Sequence, residues 1–216
     1  MSYLQCFDVA KELGSLCVFG PYRGNTVRLK LSQRIAEVAA PMVWNVTFAN
    51  SEGIEYGFAG TFLGPILDQC GENIGQDNVV VVISGKTSGD RTRLLKGLVW
   101  QEGDKKFPPE QEWLRVIAQK QRYCIFRPPL SQSAAVSLDY LGTTEKELLD
   151  LLAFLEGVPE ADVNDVEQAL KWKTSDAVHR LEELNRRRQV LLVSPQTQND
   201  RYMSIAQILK QGDKHD

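Results

Sequence analysis

The sequence predicts a mixed α/β protein in two parts, an α/β sandwich followed by a mostly helical unit that closes on a β-hairpin. Three observations predict it. Strand-like and helix-like runs alternate through residues 1–100, Val79 to Ile83 (VVVVI) is the strongest strand signal in the chain, and three helical patterns from Thr144 onward lead into two short β-rich runs. Residues 101–141 read as a structured connector between these parts, and residues 142–216 as the final domain.

The elements of the first half follow from local patterning. Leu16 to Phe19 reads as a short apolar strand and Gly20 to Asn25 as a turn; Thr26 to Leu31 (TVRLKL) alternates before a helix, Ser32 to Ala39, that Pro41 ends. In Met42 to Phe48 (MVWNVTF) the larger apolar residues Met42, Trp44, Val46 and Phe48 recur at every second position, the period of a strand. A loop, ANSEGIE, leads to an apolar helix from Tyr56 to Cys70 with Pro65 in its middle or at a break. The β-branched run Val79 to Ile83 suits a strand buried on both faces, and a further helix follows at Asp90 to Val99.

The run WNVTFANSEGIEYGFAGTFLGPIL at 44–67 resembles STAS-like domains, the small α/β modules of anti-sigma-factor antagonists and their bacterial relatives, and the resemblance spans about 15–100. In that family a strand ends in a short polar or acidic loop, and a Phe-Ala or Ser-Ser pair opens the helix that meets the partner. Phe58 and Ala59 take that place here, with Phe62 and Leu63 continuing it. The resemblance therefore implies a protein partner bound through Ser51, Tyr56, Phe58 and Phe62. Two features depart from it. Thr47 and Phe48 stand where a charged residue often ends the central strand, and YGFAG at 56–60 lacks the serine that the antagonists phosphorylate. Phe58 and Phe62 serve equally well as core residues.

The connector opens on a loop-rich stretch, EGDKKFPPE at 102–110, and continues as a helix from Gln111 to Lys120 with Trp113, Leu114, Val116 and Ile117 on one side. Tyr123 to Phe126 is a strand ended by Pro128 and Pro129, and Ala134 to Tyr140 is a second strand to pair with it. The segment is too apolar for a disordered linker and is expected to pack the two domains together.

In the final domain Thr144 with Glu147 forms a capping-box pattern opening TEKELLDLLAFLEG, whose Leu148, Leu149, Leu151, Leu152 and Leu155 form a buried face. Gly157 and Pro159 stop it. Asp162 to Leu170 is a second helix with Val163, Val166 and Leu170 inward, and Lys171 to Lys173 is a turn. The third helix begins with Thr174 or Ser175 as its cap, and Ala177, Val178, Leu181 and Leu184 form its inner stripe. Gln189 to Val193 is a strand, the polar run Gln196 to Asp200 a turn, and Arg201 to Ile205 the returning strand. This order resembles the winged helix-turn-helix of bacterial regulators of the MarR and ArsR type.

Composition excludes several classes. No apolar run approaches the roughly 18 residues of a membrane span, and no basic segment precedes an apolar one at the N-terminus. The four cysteines are scattered without zinc or disulfide spacing, so reduced, mostly buried thiols in a cytoplasm are expected, with no metal and no cofactor. A net charge of −3 speaks against a chain coated in cations for non-specific nucleic-acid binding. Gly85, Lys86 and Thr87 look like the end of a phosphate-binding P-loop, but Val80 stands where its first glycine must be. A turn with a helix cap at Thr87 or Ser88 accounts for them. His179 and His215 have no partner at metal-ligand spacing, the acids Glu145, Glu147 and Asp150 form a solvated helix face, and no serine has a nucleophile-elbow setting. A non-enzyme is expected.

The outward positions of the third helix suit double-stranded DNA. Lys171, Lys173, Thr174 and Ser175 fit phosphates at a helix start, His179 or Arg180 could reach a base edge, and Arg187 and Arg201 add charge. His179 reads equally as a plain exposed helix residue. Asp176 and Glu183 share this face, and acids outnumber bases from residue 142 onward, so binding is expected to be weak or to require a homodimer. Two functions follow: a transcriptional regulator whose first domain binds a partner or senses a signal, or an adaptor that uses both domains for protein contacts and binds no DNA.

Overall fold

The computed structural model describes residues 3–38, 41–72, 78–100, 105–129, 138–193 and 200–212. In chain order the elements are β1 (Leu4–Asp8), α1 (Val9–Leu13), α2 (Pro21–Glu37), β2 (Met42–Thr47), α3 (Tyr56–Glu72), β3 (Val79–Ser84), α4 (Asp90–Val99), α5 (Trp113–Gln119), β4 (Cys124–Arg127) and β5 (Asp139–Leu141). Then come α6 (Lys146–Gly157), α7 (Val163–Leu170), α8 (Thr174–Arg186), β6 (Val190–Leu192), β7 (Tyr202–Ser204) and α9 (Ile205–Gly212).

The first five strands form one mainly parallel sheet in sequence order, with β5 antiparallel to β4. Right-handed crossovers that always step to the next strand leave every intervening helix on one face. That face holds the first core, in which Phe7, Trp44, Val46, Val81, Ile83 and Phe126 of the strands meet Leu31, Phe58, Phe62 and Leu94 of the helices. The alternate residues Val43, Val80, Val82 and Ile125 point the other way into a second core. There they meet Leu151, Leu155, Leu181, Leu184 and Leu209 of the C-terminal helices. The VVVVI run is thus buried on both faces, as its unbroken β-branched character predicts.

The segment expected to be a connector supplies α5 and the strands β4 and β5 of this sheet. The C-terminal helices and the β6–β7 hairpin cover the second sheet face, and Ala161 adds an isolated bridge to Tyr202 beside the hairpin. Asn78, just before β3, accepts from the Leu192 amide at 3.0 Å through Oδ1 and donates to the Leu192 carbonyl, so a side-chain amide imitates a strand neighbour for β6.

Several expectations are corrected. No strand forms at Leu16 to Phe19 or Thr26 to Leu31; one helix, α2, runs from Pro21 to Glu37, and the missed strand is β1. Gly24, Val27, Leu31 and Ile35 face inward at helical steps, whereas Leu29, the residue that made the run look alternating, is exposed. Leu149 also lies outside, because Leu148, Leu151, Leu152 and Leu155 already fill the inner stripe of α6. Neither Thr144 nor Thr174 and Ser175 cap a helix: the N-caps are Glu145 and Lys173, without side-chain cap bonds. A true capping box is present at α7, where Asp162 and Asp165 exchange bonds at 3.0 Å. Cys6 and Cys17 are exposed and only Cys124 is buried among the described thiols, against the expectation of mostly buried cysteines. Within the predicted elements, Ala39, residues 134–137 and the turn residues 194–199 lie outside the described residues, as do residues 102–104 of the EGDKKFPPE stretch and His215.

Candidate functional site

The third C-terminal helix, α8, presents two unlike surfaces. Ala177, Leu181 and Leu184 anchor it in the second core, and Lys173, Thr174, Ser175, Asp176 and His179 are exposed on the opposite side, with Lys171 exposed at the preceding corner. Lys171 adopts a left-handed conformation with φ 55°, which ends α7 and turns the chain into α8. Lys173 gives no side-chain cap; its carbonyl accepts from the Asp176 and Ala177 amides at 3.0 Å, and the amides of Thr174 and Ser175 donate no bond to it. Among the described residues neither Lys171 nor Lys173 takes part in an ion pair.

The arginines expected on this face are engaged elsewhere. Arg180 donates to Glu147 on α6 at 2.9 Å through Nε and stacks 4.7 Å over the Trp172 ring. Arg201 pairs with Glu160 at 3.2 Å and lies 3.9 Å from Asp165. Arg187 departs furthest from expectation: it is 7% exposed and belongs to a buried junction. Its guanidinium grips Glu145 in a two-pronged pair at 2.7 and 2.9 Å, donates to Glu183 at 2.6 Å and to Thr143 at 3.1 Å, and sits 4.9 Å over the Tyr123 ring. Thr143 in turn donates to the fully buried Gln189 at 2.6 Å. The guanidinium holds the Glu145 carboxyl down at about 2. Arg187 therefore ties the strand layer to α8 and is removed from the DNA-contact set.

The second candidate region is the carboxyl edge of the sheet, where the β2–α3 loop holds Ser51 and Tyr56 opens α3. Ser51 is buried, with its hydroxyl donating to the Phe48 carbonyl at 2.7 Å and accepting from the Gly53 amide at 3.3 Å. Phe58 and Phe62 are fully buried, edge to face with each other at 5.5 Å, with Phe48 edge to face with Phe58 and Phe7 tilted against Phe62, so of the four expected partner-binding residues only Tyr56 reaches the surface. The apolar surface lies nearby instead, in Leu16 (62% exposed), Phe19 and Tyr22 (85% exposed). Phe19 and Tyr56 share one cleft with Arg93 and Lys96.

Two carboxylates shape this edge, and neither was singled out by the sequence patterns. Glu55 receives the amides of Gly57 at 3.0 Å, Phe58 at 2.9 Å and Gly20 at 3.3 Å, so it opens α3 and holds the loop before α2. Asp90 is fully buried and accepts from the amides of Lys86 and Thr87 at 2.7 Å each, from Ile54 at 3.3 Å and from the Arg93 guanidinium at 3.2 Å. The N-cap of α4 is Gly89, without a side-chain cap bond, so neither Thr87 nor Ser88 caps the helix and Asp90 instead ties down the loop before it. An aspartate opening a helix three residues after a Gly-Lys-Thr turn was the available signal. Lys86 donates to the Ser51 carbonyl and clamps the β2–α3 and β3–α4 loops together. The Cys17 thiol is pushed up by its hydrogen bond to, and the charge of, Glu52, which disfavours the thiolate.

Neither a family model nor a curated protein nor a solved structure matches the chain. Among the described residues no helix is long and apolar enough to cross a membrane.

Proposed function

We propose that the protein is a DNA-binding regulator whose C-terminal helices and hairpin act as a winged helix-turn-helix, while its STAS-like half receives a protein partner or a signal. One observation carries this reading: the exposed start of α8 offers two lysines outside any ion pair among the described residues, an N-terminus without a side-chain cap, and His179 one turn on. Lys171 and Lys173 neutralise phosphates, the amides of Thr174 and Ser175 suit a phosphate oxygen, and His179 is the residue set to meet a base edge. The helix–helix–helix–hairpin order and the extra bridge of Ala161 to Tyr202 support it. With Arg180, Arg187 and Arg201 held by carboxylates, few phosphates are contacted, so a homodimer on two half-sites is the binding form.

The test is binding of the full chain to fragments of its own genome at two salt concentrations, beside a Lys171→Ala/Lys173→Ala variant. The variant is expected to lose affinity on every bound fragment, with the salt slope falling by about one for each phosphate contact removed. Absence of any bound fragment at low salt, or an unaffected variant, overturns the reading.

The adaptor reading is favoured by a different observation, the exposed Leu16, Phe19, Tyr22 and Tyr56 at the edge of the α/β half. Under it Phe19→Asp with Tyr22→Asp abolishes a protein complex and the lysine variant is silent. Both residues are exposed, so these substitutions leave the fold intact.

A further inference from the structure

The four parallel strands end alike. Their last residues are Asp8, Thr47, Ser84 and Arg127, and the register sets them side by side: Asp8 opposite Thr47, Thr47 opposite Ser84, Ser84 opposite Arg127. Val43, Val80, Val82 and Ile125 face the C-terminal layer, so the two-residue period of a strand puts Asn45, Thr47, Ser84 and Arg127 on that same face. The apolar stripe of the sheet thus turns polar at its carboxyl end. An open groove of about 350 Å³ lies there, lined by Asn45, Thr47, Ser84, Lys86 and Arg127, with Pro128 beside them.

The chemistry of the groove has one sign. Two of its lining side chains are cationic, three are neutral and polar, and no carboxylate is among the described residues that line it. Asp8, at the end of the row, is turned to the Asn50 side-chain amide at 2.6 Å and the Lys11 amide at 3.1 Å, and Asp90 is spent on the loop amides beneath. Ser84 donates to Asn45 Oδ1 at 2.6 Å, which fixes the Asn45 amide with its oxygen occupied and its Nδ2 donors left over. The Thr47 Oγ1 accepts from the Ala49 amide at 3.1 Å, which leaves its hydroxyl proton to give. Donors from β2 therefore meet two cationic groups at the carboxyl ends of the parallel strands. The Gly85 backbone is kept close by Phe126, whose ring a Cβ at this position would meet at 2.7 Å.

We infer that this groove is a binding site for a small phosphate-bearing molecule, with Asn45, Thr47 and Arg127 as its oxyanion donors and Lys86, whose ammonium gives one proton to the Ser51 carbonyl, adding its charge and its remaining protons. Its volume exceeds that of a bare phosphate and falls at the small end of ligand sites, which fits a phosphate monoester. The inference stands apart from DNA binding and from the surface of α8.

The test is a titration of the isotope-labelled full chain with inorganic phosphate and, separately, with AMP, followed by amide NMR shifts against sodium chloride at matched ionic strength. Saturable shifts centred on Ala49, Ser84, Gly85 and Lys86 are expected, tighter for AMP if a monoester is the natural occupant and equal if free phosphate is. Arg127→Gln risks the fold because Arg127 is buried, so the deciding variant is the isosteric Thr47→Val, expected to weaken binding about tenfold. Lys173→Ala is expected to leave these shifts unchanged. Shifts that never saturate, that chloride reproduces, that Thr47→Val leaves intact, or that centre on the start of α8 overturn the proposal.

Discussion

At the scale of single residues, Arg187 shows how position decides what a charge does. It is the middle one of a run of three arginines at the end of a helix, a pattern that reads as a basic surface, yet its guanidinium is enclosed by Glu145, Glu183, Thr143 and the Tyr123 ring. Removing it deprives Thr143 and the partly buried Glu183 of a partner, while the half-exposed Glu145 keeps its water, so Arg187→Ala is expected to destabilise the chain by about 1–3 kcal/mol. A shift in the urea midpoint without a change of slope checks this; a variant as stable as the parent would place the arginine outside the junction. The same contact predicts a pH dependence. The Glu145 carboxyl is lowered to about 2 in the folded chain, so its contribution is present above the ordinary carboxylate range and is lost as pH falls toward 2. Denaturation of Glu145→Gln between pH 6 and pH 2.5 should show a weaker acid dependence than the parent, since its neutral amide has nothing to protonate. The exposed start of α8 was legible from the sequence, because helical spacing alone separates Lys173, Thr174, Ser175 and His179 from the apolar stripe. The fate of Arg180, Arg187 and Arg201 was not, since Glu147, Glu145 and Glu160 reach them from other elements.

At the scale of elements, the helices on the first sheet face approach closely because glycines stand at their crossings. A Cβ on Gly97 of α4 would lie 2.7 Å from both the Ala59 Cβ and the Tyr56 carbonyl of α3, and one on Gly24 of α2 would meet Thr61 and the Phe58 carbonyl. Backbone atoms cannot swing aside as a flexible side chain can, so Gly97→Ala is expected to cost about 1–3 kcal/mol despite the better helix propensity of alanine. Gly157, at the end of α6, has open space where its Cβ would go, and Gly157→Ala should be neutral or stabilising by about 0.5 kcal/mol. Thermal melts of the two variants check the contrast; equal effects would show that the helix crossings, not propensity, had been misjudged. The strands β2 and β3 and the helices α3 and α4 were legible for a related reason: their patterns have one period and a length that excludes the alternative. α2 was misread because Val27, Leu29 and Leu31 satisfy a two-residue period as readily as Val27, Leu31 and Ile35 satisfy a helical one. β1 was missed because, with Leu4 only half-buried and Gln5 and Cys6 exposed, it carries no apolar run.

At the scale of the whole molecule, the second core has no owner in one half of the chain. Val43, Val80, Val82 and Ile125 come from the sheet, while Leu151, Leu155, Leu181, Leu184 and Leu209 come from the C-terminal helices, and neither set is covered without the other. A parallel sheet needs both faces buried, so the C-terminal unit does for this sheet what a second helix layer does in a doubly wound fold. Asn78 to Leu192 and Arg187 to Tyr123 are polar links across the same boundary. Folding should therefore be one transition: in native-state hydrogen exchange, amides at the centres of β3 and α8, such as Val81 and Leu181, are expected to open with the same free energy. A chain cut after Leu141 should bind hydrophobic dye and lack a cooperative melt, because its sheet would expose the Val43, Val80, Val82 and Ile125 row to water. A cooperative melt of that fragment, or α8 exchanging far faster than β3, would mean that each half holds itself together. In that event an occupant of the groove at Thr47 and Ser84 could not bias α8 through the sheet. With one shared core, any ligand that tightens the carboxyl edge must also raise the protection of α8, and hydrogen exchange with and without AMP reads that coupling directly.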